Sequence, residues 1–161
     1  MSSSDVVVIG YDGSEAADRA VREAGGLLSG HPALVVVVWK AGLGWELVEL
    51  PATSIGLPPA QIDVRTAVEI DQAMAERAQK LAEQGARLAR EAGFEADGLA
   101  VAEDVDTPIA ETIVSVARDR EAAAIVVGAH GHGRLSEVIL GGTSREVIRR
   151  ADCPVVVVRE R

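Results

Sequence analysis

Residues 128 to 144, Gly-Ala-His-Gly-His-Gly-Arg-Leu-Ser-Glu-Val-Ile-Leu-Gly-Gly-Thr-Ser, hold most of the residues in this chain that could do chemistry. Gly128, Gly131, Gly133, Gly141 and Gly142 let the backbone turn sharply and come close to an anion, while the first N–H groups of a following helix point at it. The segment therefore reads as a phosphate or other anion site. It is not a Walker loop, because no Gly-Lys-Ser or Gly-Lys-Thr occurs and both lysines, Lys40 and Lys80, are far away in sequence. Nor is it the dinucleotide fingerprint, which follows the first strand, where this chain reads Gly10-Tyr11-Asp12-Gly13-Ser14. His130 and His132 lack the cysteines or carboxylates of a zinc set and read as exposed loop residues. Arg134 and Arg145 suit either phosphate oxygens or solvent. Ser144 suits either phosphate or a bond back into its own helix. Asp12 reads as a ligand group, or as the cap of the first helix with Glu15 three residues on. Cys153, the sole cysteine, precedes an apolar run and reads as a buried thiol.

The elements that must position these residues are legible as apolar patterns. Val6–Gly10, Leu34–Trp39, Leu99–Ala102, Ala124–Gly128 and Val155–Val158 are short, continuous and β-branched, as in strands covered on both faces. Between them, Ala17, Ala20, Val21, Ala24, Leu27 and Leu28 recur at helical spacing, as do Met74, Ala78, Leu81, Gly85, Leu88 and Ala92. Ile109, Ile113, Val116 and Ala117 mark a third helix, expected to open with Thr107 as cap and Pro108 at its first position. Ser144, Val147, Ile148 and Ala151 mark a fourth. The order βαβαβαβαβ predicts an α/β fold: a doubly wound parallel sheet with helices on both faces. Residues 40–65, with Pro51, Pro58 and Pro59, are expected to be an irregular insertion, either a lid or a segment without a role. The expected organisation is one domain over 1–161, with residues 1–4 disordered.

Composition narrows the partners. A formal charge of −9 argues against a nucleic-acid binder, which needs a basic face. No apolar run approaches the ~18 residues of a membrane span, and Met-Ser-Ser-Ser-Asp is not a secretory signal, so no membrane partner is expected and the expected location is the cytoplasm. The continuous terminal strand Val155–Val158 would leave an unpaired edge, which predicts a homodimer.

Gly128-x-x-Gly131, nine residues, Gly141, then Ser144 and the closing Cys153-Pro154-Val155-Val156-Val157-Val158, resemble the universal stress protein family and its nucleotide-binding signature. The opening Val-Val-Val-Ile-Gly-Tyr-Asp-Gly-Ser-Glu resembles that family's start. The resemblance implies a five-stranded sheet in the order 3-2-1-4-5 and ATP, with or without Mg2+, bound at the ends of strands one and four. By position, Asp12 would serve the nucleoside, Gly128 and Gly131 the ribose-phosphate backbone, Gly141 onward the phosphates, and the backbone near Val38 and Trp39 the adenine. Gly142 stands where the family has serine or threonine, removing one hydroxyl unless Thr143 substitutes; Asp106 stands where many relatives have glycine. The implied function is that of an ATP-binding stress-response regulator with slow or no hydrolysis, signalling to a protein partner. Two alternatives are a nucleotide-free stress protein acting through protein contacts and, more remotely, an adenylating or pyrophosphatase domain, whose Ser-Gly-Gly-x-Asp-Ser loop is absent.

Overall fold

The computed structural model describes residues 5–49, 63–129 and 140–159. In chain order they form β1 (Val7–Gly10), α1 (Glu15–Leu28), β2 (Pro32–Ala41), α2 (Leu43–Glu49), α3 (Val64–Glu91), β3 (Glu95–Asp104), α4 (Ile109–Asp119), β4 (Ala124–Gly128), α5 (Gly142–Arg150) and β5 (Val155–Val158). The five strands make one parallel sheet in the order β3-β2-β1-β4-β5. The expected fold class and strand order are both observed.

Side chains alternate across each strand, so one apolar run feeds two cores. Val7, Ile9, Val35 and Val37 pack under α1 and α3, on the same side as Tyr11 and Phe94. Val8, Leu34, Val36, Ile125 and Val127 pack on the other face against Ile113 and Ala117 of α4 and Val147 of α5. Large side chains are scarce, and the layers approach through small ones. A Cβ on Gly98 of β3 would stand 2.6 Å from the backbone of Ala82 in α3. One on Gly85 of α3 would stand 2.8 Å from both the Tyr11 ring and Val35. Helix α3 accordingly buries Ala67, Ala78, Ala82, Gly85, Ala86 and Ala89.

Several helix details differ from the sequence expectation. Ser14, not Asp12, caps α1: its Oγ accepts the Ala17 N–H at 3.1 Å, while Asp12 Oδ1 accepts the Ser14 N–H at 2.9 Å, a local turn that sets up the cap. Pro108 takes the N-cap position of α4 at ψ 135, and Thr107 does not cap it; the Thr107 carbonyl instead accepts from the Lys40 ammonium. Leu27 is 73% exposed, and it is Leu28 that packs on the core. Residues 40–65 hold the end of β2, all of α2 and the start of α3, with 50–62 outside the described residues. Helix α2 is held at its N-terminus: both oxygens of Asp71 in α3 accept backbone N–H groups, from Gly42 at 3.0 Å and Gly44 at 3.2 Å.

Candidate functional site

Strand β1 pairs with β2 on one side and β4 on the other, so the sheet reverses its winding direction between β1 and β4. Open α/β sheets take ligands beyond the carboxyl ends of their strands at such a reversal. A cavity of about 610 Å³ lies there. Gly10, Tyr11 and Asp12 bound it from β1, Val36 to Lys40 from β2, Val127 and Gly128 from β4, and Gly141 to Ser144 from the start of α5. Of the residues singled out in the sequence, Asp12, Val38, Trp39, Gly128, Gly141, Gly142, Thr143 and Ser144 all come together on this cavity. Gly131 and Gly133, with His130, His132 and Arg134, lie outside the described residues.

The start of α5 carries the site's main polar feature. Its N-cap residue, Gly141, offers no side-chain cap, and the N–H of Gly141 is already donated to the Ala129 carbonyl at 2.7 Å. A helix leaves its first N–H groups without intrahelical acceptors. Here Gly142, Thr143 and Ser144, the first three residues of the helix, all line the cavity, at the positive end of the helix dipole. Ser144 is buried and its Oγ donates to the Gly128 carbonyl at 2.6 Å, tying α5 to the end of β4. That bond to another element was not foreseen in the sequence. Arg145 donates to the Leu140 carbonyl at 3.1 Å.

The two glycines flanking this feature have different reasons to be glycine. A Cβ on Gly128 would stand 3.1 Å from the Ala16 carbonyl oxygen and 3.2 Å from its carbon, so close packing on the first turn of α1 is a sufficient cause. A Cβ on Gly142 would meet nothing within 4 Å. Among the described residues, none therefore demands a glycine at 142.

Further lining residues, in addition to Ala17 of α1 and Leu43 of α2, were not anticipated. Met74, Arg77, Ala78 and Leu81 of α3 form one wall, Ile109 and Ile113 of α4 another, Val105 a third, and Lys40 closes the end of β2. Lys40 spends its ammonium on the backbone, donating to the carbonyls of Asp104 (2.9 Å) and Thr107, which fastens β2 to the β3–α4 connection. Beside it, Glu103 accepts from Thr112 Oγ1 at 2.8 Å and from the Asp104 N–H, and these bonds hold its carboxyl below the usual range. The α3 wall had a readable signal: Met74, Arg77, Ala78 and Leu81 fall at i, i+3, i+4 and i+7, which places a charge on an otherwise apolar helix face. Tyr11 donates to Asp18 Oδ1 at 2.5 Å, and burial first, then that bond, pushes its phenol well above the ordinary value. Cys153, on the far side of α4, is half-buried; burial and the neighbouring Asp152 raise its thiol.

Fold and crevice together define a doubly wound α/β protein with a cavity at the strand-order reversal. The profile of the universal stress protein family matches residues 49–159, and a universal stress protein of Mycolicibacterium smegmatis is 30% identical over 156 residues, 94% of this chain and 47% of the relative. The chain belongs to the universal stress protein family, and it spans about half the length of that relative. Among solved structures, the Methanocaldococcus jannaschii protein MJ0577 is 22% identical and covers 98% of this chain and 96% of its own, with a TM-score of 0.71. An Archaeoglobus fulgidus universal stress protein in complex with dAMP is 21% identical over 96% of both chains, at 0.57. A further universal stress protein, in complex with cAMP, is 20% identical over 97% of both, at 0.61. At these identities the structures establish the shared fold.

Proposed function

We propose that the protein binds ATP in this crevice and acts as a nucleotide-dependent regulatory module of the stress response in the cytoplasm, with slow or no hydrolysis. The observation that carries the reading is the start of α5, a helix N-terminus without a side-chain cap bond whose first residues, Gly142, Thr143 and Ser144, line the cavity at the strand-order reversal. The cavity suits the ligand. Its volume falls within the roughly 300–1,000 Å³ of small-molecule sites, and the open space around Gly142 leaves room for a phosphate against the backbone. The N–H groups of Gly142, Thr143 and Ser144 would hold phosphate oxygens. The carboxyl end of β2 at Val38 and Trp39, with Asp12, would meet the nucleoside. Gly131 and Gly133 join the proposal through their place in the glycine pattern alone. Magnesium, if it accompanies the nucleotide, would neutralise phosphate charge. The bound dAMP and cAMP of the two relatives support an adenine nucleotide here.

Slow turnover is proposed because fast hydrolysis needs a positioned base. Asp12 is the carboxylate among the described lining residues, and one of its oxygens is engaged by the Ser14 N–H. A homodimer through β5 is part of the same reading: the strand lies at the sheet edge, with Val155, Val156 and Val157 only partly buried. Mass spectrometry of nucleotide released from the purified protein, followed by calorimetric titration with ATP, tests the binding. Adenine nucleotide in the first and saturable heat in the second are expected. Their joint absence would overturn the reading in favour of a protein working through protein contacts alone.

A further inference from the structure

We propose that Arg77 of α3 recognises the phosphate chain of the bound nucleotide, so that this crevice prefers nucleoside triphosphates to monophosphates and cyclic monophosphates. The proposal rests on the nucleotide reading of the cavity and adds to it a selectivity for phosphate number. Arg77 lines the cavity on the same helix face as Met74, Ala78 and Leu81. Its depth is fixed by its neighbours. Gly85 abuts the Tyr11 ring and Leu81 abuts Gly13, so going back along α3 leads past the carboxyl end of β1, and Arg77 stands one helical turn beyond Leu81 in that direction. On the other side of the β1–α1 turn, Gly128 rests against Ala16, and beyond it begins α5. The start of α5 and Arg77 therefore line one cavity from helices that pack on opposite faces of the sheet.

Nothing on its own helix neutralises Arg77. Positions i−4, i−3, i+3 and i+4 are Ala73, Met74, Lys80 and Leu81, three uncharged residues and a like charge. Among the described residues it forms no ion pair or hydrogen bond, whereas Arg65 pairs with Glu69 and Arg90 with Glu83. Of the other cations at or near the cavity, Lys40 and Arg145 already donate to backbone carbonyls. In a chain of net charge −9, a polyanionic ligand is repelled over most of the surface, and a cation at the cavity wall selects in proportion to ligand charge. A guanidinium presents the paired donors that suit two phosphate oxygens.

Calorimetric titration of the wild type, Arg77→Ala and Arg77→Lys with adenosine, AMP, cyclic AMP, ADP and ATP tests this. Arg77 is exposed on a long helix, so alanine there leaves the fold intact, which circular dichroism verifies. The expected result is that Arg77→Ala weakens ATP by about tenfold or more, AMP and cyclic AMP less, and adenosine by less than about twofold, with Arg77→Lys recovering part of the ATP affinity. Added salt should weaken ATP more in the wild type than in Arg77→Ala. An equal loss for adenosine and ATP would assign Arg77 to the nucleoside and overturn the proposal, and so would unchanged ATP affinity in Arg77→Ala. A wild type that binds none of the five ligands would remove the nucleotide reading itself, a result distinct from both.

Discussion

Gly128 and Gly142 look alike in the sequence and diverge in the structure. Gly128→Ala drives a methyl toward the Ala16 backbone and is expected to destabilise the fold by ~1–3 kcal/mol in urea unfolding. Gly142→Ser enters open space, so unfolding should change by less than ~0.5 kcal/mol while ATP affinity in calorimetry stays the same or rises. Equal and large losses for both would mean that the start of α5 packs more tightly than its geometry implies. Ser144→Ala removes the bond to the Gly128 carbonyl and should cost ~1 kcal/mol of stability, with α5 amides exchanging faster. The glycine pattern was readable because only a few backbone tasks require a glycine. What each glycine faces was not, since Ala16 and Gly128 are brought together only by the pairing of β1 with β4. The same limit hid the Ser144 bond, whose acceptor lies on another element.

The strands were the most legible elements, since a continuous β-branched run buried on both faces has few other uses. Ala124–Gly128 and Val155–Val158 appear in the structure with the limits their sequences predict. Helix α2 was not legible: seven residues beginning Leu43-Gly44-Trp45 carry too little periodicity, and their N-terminal donors are satisfied by Asp71, 27 to 29 positions away. The start of α1 was misread because Asp12 and Ser14 are both good caps, and only the backbone decides between them. Asp71→Ala tests how α2 is held. Loss of its two bonds should speed hydrogen exchange at the Gly42 and Gly44 amides by about tenfold or more while the sheet amides keep their protection. Unchanged exchange would show that the close approach of Gly44 to Ala67 suffices.

At the scale of the whole molecule, the sole tyrosine reports on the fold. Burial and the bond to Asp18 raise the Tyr11 phenol above its ordinary value, so the unfolded chain gives up this proton at a lower pH than the folded one. Its contribution to stability is complete below about pH 10, where the free phenol ionises, and is lost as the pH climbs toward the raised folded value. Ultraviolet absorbance should show no tyrosinate in the native protein near pH 10, and its appearance at higher pH should coincide with loss of circular dichroism. Tyrosinate forming near pH 10 in a still-folded protein would contradict this. Light scattering at tens of micromolar should give twice the chain mass if the β5 edge is covered by a second copy.

The seam of small residues between α3 and the sheet bears on how this sequence can drift over generations. Cores built from leucine and phenylalanine are damaged by truncation and often tolerate exchange among large side chains. A methyl added at Gly85 meets the Tyr11 ring and one added at Gly98 meets the Ala82 backbone, Ala82, Ala86 and Ala89 are fully buried along the same helix, and exchange of alanine for glycine weakens the helix by about 1 kcal/mol per position. Both directions are closed at once. Saturation mutagenesis read out by abundance should therefore find the wild-type residue almost alone at these positions, while Leu27 and Ile148, exposed on their helices, accept nearly any replacement. Surface positions have room to vary, whereas the spacing between this helix and its sheet is set by the small residues packed along it.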